Sequence, residues 1–143
     1  MAKMANIGGW FWYKSDKDIK FEREKCGKWM FFFDDQDFAK EMCLKAVTED
    51  ACAECKCTDM DIRKCDTGVT CFYNNGDNIE GHKKIINFMI NNGLIRKTKT
   101  GKLYNISFKF DEHTRNGEYG SNFNGELKLS QFIDLETGEW IYE

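Results

Sequence analysis

The chain has 143 residues, a formal net charge of −3 and 41% hydrophobic side chains, which is enough for one domain spanning residues 1–143 to bury a core without staples. Mild acidity disfavours a general polyanion binder while leaving room for a local basic patch. No apolar run approaches the roughly 18 residues of a membrane span, so no membrane partner is expected. The seven cysteines are an odd number, and residues 1–9 lack a signal-peptide pattern, so the cysteines read as thiols in a reducing, cytoplasmic setting.

In chain order, residues 1–9 read as a loose start. Trp10-Phe11-Trp12-Tyr13 favours a strand with Trp10 and Trp12 on one face and Phe11 and Tyr13 on the other. Such a run belongs in a core strand by default, although an exposed Trp could stack on a base or anchor a protein partner. The charged stretch 15–25 is a connection. Lys28–Phe33 is a second strand, apolar on both faces and central.

Asp34 or Asp35 can cap a helix that runs to about Val47 or Asp50. Cys52–Met60 is a further strand, and Asp61–Thr67 a charged turn. Val69–Tyr73 is the next strand. After the Asn74-Asn75-Gly76 turn, Asp77 with Glu80 resembles a capping box for a second helix, whose buried stripe is Ile79, Ile85, Ile86, Met89 and Ile90. Gly93 ends that helix. With no proline in the chain, the turns rely on Gly, Asn and Asp.

Tyr104, Ile106, Phe108 and Phe110 alternate with Asn105, Ser107 and Lys109, the signature of a half-buried strand over Leu103–Phe110. A loop rich in Gly and Asn follows over 114–125. Glu126–Asp134 and Glu139–Tyr142 then form a closing hairpin around Glu136-Thr137-Gly138. This order points to an α+β fold: a curved, mostly antiparallel sheet with two helices packed on one face, leaving the other for binding.

Four groups carry candidate chemistry. Lys109, Asp111, His113 and Arg115 sit at the end of the best strand, where Lys and Arg could hold a phosphate and His could exchange a proton near neutral pH. The bland alternative is a solvated strand end. No Ser or Cys is locally paired with His113, so a nucleophile triad has no support. The basic loop Arg96, Lys97, Lys99 and Lys102 could meet a nucleic-acid strand or nucleotide phosphate, but it lacks the glycine spacing of a P-loop. Cys52, Cys55 and Cys57, with Cys65 and Cys71 downstream, resemble part of a zinc site without its second pair. Buried free thiols are the alternative, and no cofactor is expected. Trp10 and Trp12 complete the set. His82, near the apolar stripe of the second helix, reads as structural.

Gly27-Lys28-Trp29 opening an apolar strand, and Ile106-Ser107-Phe108-Lys109-Phe110-Asp111-Glu112-His113-Thr114 with Tyr119 beyond it, resemble the basophilic-leukaemia-expressed protein family. Its members have an opening Gly-Lys-Trp and a late Tyr-Lys-Pro-Asp segment leading to a Thr. Phe108 and Phe110 stand here in the Tyr and Pro places. The resemblance covers roughly Lys28 to Tyr119 and implies a fold similar to the cap-binding translation initiation factor. Those relatives hold a charged base between two Trp rings. Trp10 and Trp12 precede the matched segment and Trp29 lies within a strand, so that site is not carried over residue by residue.

The residues together suggest a non-enzymatic binding domain for a nucleotide or other phosphorylated ligand. The alternative is a small phage- or mobile-element-type inhibitor or adaptor acting through a protein partner. An enzyme using His113 as acid or base is a third class.

Overall fold

The computed structural model describes residues 2–16, 21, 25–111 and 127–141. The strands are β1 (Lys3–Ile7), β2 (Trp10–Lys14), β3 (Cys26–Phe33), β4 (Glu54–Thr58), β5 (Gly68–Asn75), β6 (Ser107–Phe110) and β7 (Leu127–Lys128). The helices are α1 (Gln36–Thr48), a single turn α2 (Met60–Arg63) and α3 (Ile79–Asn91). All seven strands join one antiparallel sheet in the order β1-β2-β4-β5-β3-β6-β7. The α+β class with α1 and α3 over one sheet face is thus observed.

Alternation along each strand divides the sheet into two faces. On β3, Gly27, Trp29, Phe31 and Phe33 are buried while Lys28, Met30 and Phe32 point the other way. The register carries this division across the sheet: Trp29 lies opposite Phe72, Phe72 opposite Cys55, and Cys55 opposite Tyr13. These side chains form one core with Ala39, Met42, Cys43, Ala46 and Val47 of α1 and Ile85, Ile86, Phe88 and Met89 of α3.

Trp29 is fully buried, with Phe108 and Phe132 at ring separations of 5.6 and 6.2 Å. Its indole Nε1 donates to His82 Nδ1 at 3.0 Å. An Nδ1 that accepts must be unprotonated, so Nε2 carries the hydrogen and donates to the Gly76 carbonyl at 2.8 Å. Burial holds the His82 pKa below its usual value. His82 is therefore a neutral structural residue in a fixed tautomer, joining β3, the turn after β5, and α3.

Several elements differ from the sequence expectation: the strand expected over Cys52–Met60 spans only Glu54–Thr58, and α2 begins at Met60 and enters the expected turn Asp61–Thr67. Residues 3–7 are not a loose start: Gly8 and Gly9 take positive φ values of 61° and 84°, open to glycine, and turn the chain so that β1 pairs with β2. The second helix is capped by Asn78, whose side chain accepts from the Gly81 amide at 3.1 Å, and not by Asp77. Asp77 instead pairs with Lys25 at 2.8 Å, and Glu80 reaches Lys83 rather than closing a box.

The strand expected over 103–110 is shorter. Tyr104 N donates to the Arg96 carbonyl and Leu103 bridges Lys97, so β6 begins only at Ser107 and its ladder to β3 only at Lys109. The expected closing strand 126–134 stops after Lys128, where Leu129–Gln131 tightens into a 3-10 turn. Among the described residues its hairpin keeps one bridge, Ile133–Trp140, closed around Gly138 at a φ of 75°.

Candidate ligand-binding face

The helix-free face is built from the other half of each strand. Trp10 and Trp12 of β2, Lys56 of β4, Cys71 and Tyr73 of β5, Lys28, Met30 and Phe32 of β3, and Lys109 of β6 all belong to it. The sequence expectation that Trp10 and Trp12 share a face holds. Both are half-buried on this side, and Tyr13 is the core residue of the run.

Lys56 sits at its centre. One unbroken cross-strand row reads Ala5, Trp12, Lys56, Cys71 and Met30. The Lys56 ammonium is 3.8 Å from the Trp10 ring centre, 4.8 Å from that of Trp12 and 5.8 Å from that of Tyr73. Arg63, from α2, lies 4.8 Å from the same Trp10 ring and is anchored by its donations to the Gly8 and Gly9 carbonyls. Trp12 and Tyr73 stack nearly parallel, 15° apart with centroids at 5.9 Å. Phe21 meets Tyr73 edge-on.

Among the described residues Lys56 has no carboxylate partner; the aromatic faces are what hold it. Burial lowers its pKa from the usual lysine value, and the nearby positive charges of Lys28 and Arg63 act the same way. Lys28 is compensated: its ammonium donates to Asp111, with both side chains mostly shielded. Cys26 also meets Asp111, and burial together with that carboxylate pushes its thiol up to about 12. Cys71, under Lys56, is raised to about 11 by burial.

The structure therefore puts Trp10, Trp12 and Lys109 on one face, with Trp10 and Trp12 on β2 and Lys109 four strands away on β6, and Asp111 paired with Lys28 of that face. Asp111 neutralises Lys28 and is not a solitary acid. Two hollows flank the centre. One, of about 450 Å³, lies over β1 and β2 and is lined by Lys3, Ala5, Ile7, Trp12, Lys14 and Glu54. The other, of about 340 Å³, is lined by Met30, Phe32, Leu94, Arg96, Tyr104 and Ile106. Arg96 thus joins the edge of this face, whereas Lys97 lines a separate hollow with Ile95 and Leu103. Lys99 is exposed in the turn that follows. His113 and Arg115 lie outside the described residues.

Lys56, Lys28, Tyr73 and Arg63 were not singled out from the sequence. The signal for Lys56 is its place between the apolar Cys55 and Cys57, which puts it on the opposite face from them. The others gain meaning only from partners distant in the chain.

Cys43, Cys52, Cys55 and Cys57 lie in the helix-side core and Cys71 on the opposite face. Among the described residues no group of three or more His, Cys, Asp or Glu is placed to hold a metal. Burial pushes the Cys55 thiol up, which fits a packed small hydrophobe. No helix among the described residues is long and apolar enough to cross a membrane. Comparison with family models, curated proteins and solved structures finds no match to this chain.

Proposed function

We propose that the helix-free face is a non-enzymatic binding surface for a nucleotide or other phosphorylated ligand. The observation that carries this reading is the Lys56 ammonium held over Trp10 and Trp12 with no acidic partner among the described residues. A cation–π contact contributes about 0.5–2 kcal/mol. A charge-assisted hydrogen bond to phosphate contributes about 1.5–3 kcal/mol. An arriving phosphate draws Lys56 off the ring, and the vacated indole face becomes available for base stacking. Arg63, Lys109 and Arg96 add positive charge around the centre. The resemblance to the basophilic-leukaemia-expressed protein family remains part of this reading for the fold and adds nothing on the ligand.

The test is a titration of intrinsic tryptophan fluorescence with nucleoside phosphates. Saturable quenching is expected for the wild-type chain, with a loss of tenfold or more in affinity (about 1.4 kcal/mol) in Lys56→Met. Unchanged affinity in that variant would sink the proposal.

A second reading, an adaptor or inhibitor that binds a protein, draws on the hollow beside Phe32 and Tyr104. Those two side chains are 56% and 50% exposed and sit next to Met30 and Leu94. Exposed aromatics beside an apolar hollow are common anchors for a partner. This reading predicts that no nucleoside phosphate binds, and that Phe32→Ala releases a partner that otherwise copurifies.

A further inference from the structure

The lysines of the open face are not gathered around one point. Lys3 of β1 lies directly opposite Lys14 of β2, and Lys28 of β3 directly opposite Lys109 of β6. Like charges directly opposed across strands destabilise a sheet, yet this sheet carries two such pairs on the same face. Glu54 offsets Lys14, and Asp111 offsets Lys28. Lys3 and Lys109 have no acidic partner among the described residues.

The two pairs stand on either side of β4 and β5. From β2 to β3 is three strand spacings, about 14 Å at roughly 4.8 Å each. Between them lie the half-buried Trp12 and Lys56, with the buried Tyr73 ring stacked against Trp12. Lys128 of β7, opposite Ser107, extends the positive side chains to the far edge of the sheet. All of this sits in a chain whose formal net charge is −3, so the positive potential is local to this face and would steer a polyanion toward it. One phosphate group cannot meet lysines at both ends. A run of linked phosphates can, with the intervening bases over the aromatic floor.

Resting on the reading above and narrowing it, we infer that the ligand is a single-stranded nucleic acid laid across the strands, its phosphates held by Lys3 and Lys109 at the two ends and its bases stacked on the half-buried Trp10 and Trp12. Unstacked bases are needed to reach the rings, so a duplex fits this face poorly. The chemistry is shared by DNA and RNA, and the two are separated by experiment.

The experiment measures affinity for oligo-dT and oligo-U of increasing length, from a mononucleotide to about 12 nucleotides, a range within the footprint of sheet-based single-strand binders. A duplex of matching length serves as comparison. Affinity is expected to climb with length, and the salt slope to steepen by about 0.7 for each phosphate engaged. The decisive variants are Lys3→Glu and Lys109→Glu, one at each end. Both replace a like-charge cross-strand pair with an opposite-charge one, so folding is not endangered. Lys3→Glu should weaken the long oligonucleotide tenfold or more while changing mononucleotide affinity by less than about twofold.

A mononucleotide bound as tightly as the longest oligonucleotide would overturn the polymer inference and leave the nucleotide-binding proposal standing. Duplex binding equal to single-strand binding, or a Lys3→Glu variant with undiminished affinity, would likewise overturn it. Absence of binding to any of these ligands would defeat both. A preference for oligo-U over oligo-dT, or the reverse, assigns the sugar.

Discussion

The two faces of the sheet use the same residue types to opposite ends. On the helix side a Trp and a titratable side chain, Trp29 and His82, are fully buried, and each polar atom of the pair is matched. On the open side Trp10 and Lys56 also lie in contact, but among the described residues the cation has no carboxylate partner. A closed hydrogen-bond set specifies one packing and leaves nothing to offer. An ammonium held by quadrupoles retains most of its capacity to bind an anion. The difference teaches that residue type says little about role; saturation of the polar atoms says more.

The sharpest way to break the comparison is to remove the ring from each side. Trp29→Ala deletes a fully buried indole and orphans His82, so a loss of about 3–5 kcal/mol is expected in chemical denaturation. A loss below about 1 kcal/mol would show that the helix-side core is loosely packed and that the contrast drawn here is false.

A smaller effect is expected from proton linkage. His82 is neutral when folded, with its pKa held below the usual 6.5 by burial. The unfolded chain takes up a proton there that the folded chain resists, so the stability from this residue is full above 6.5 and is lost as pH falls through that value toward the folded pKa. The stability advantage of wild type over His82→Gln should therefore narrow between about pH 7.5 and about pH 5. An advantage that stays constant or widens would contradict the tautomer assigned here.

The smallest effect on stability is expected on the open side. Lys56→Met removes a half-buried charge and keeps a similar apolar stem, so the denaturation midpoint should move by no more than about 0.5 kcal/mol in equivalent stability. A large destabilisation would make Lys56 a structural member of the sheet and blur the division between the faces.

Much of the sheet was legible from period-two alternation or from apolar runs. The end of β6 follows the alternation, with Phe108 and Phe110 landing on the helix side as their spacing implies, whereas β2, β3 and β5 were marked by apolar or aromatic runs. β1 escaped because all five of its residues are exposed, so no apolar face marks it. Only the Gly8-Gly9 pair announces the turn, and a glycine pair near an end reads as easily as slack chain. The helix caps were legible to within one residue; Asn78 displaces Asp77 because Asp77 is taken up by Lys25, a partner no local pattern reveals. The candidate site was half legible for the same reason. The spacing of Trp10 and Trp12 fixes their shared face, but the neighbours that give that face its chemistry come from β4, β5 and β3.

Those neighbours are set by the strand order β1-β2-β4-β5-β3-β6-β7, in which β3 pairs with β5 and β6 while β4 pairs with β2 and β5. Lys28 and Asp111, partners on the open face, are 83 residues apart in the chain. A sheet woven from such distant segments closes its loops late and folds slowly. While the chain is still being made, β2 waits with its tryptophans uncovered for strands that have yet to emerge. The open face is therefore the last property this molecule acquires, and ligand binding in a refolding experiment would report completion of the whole sheet.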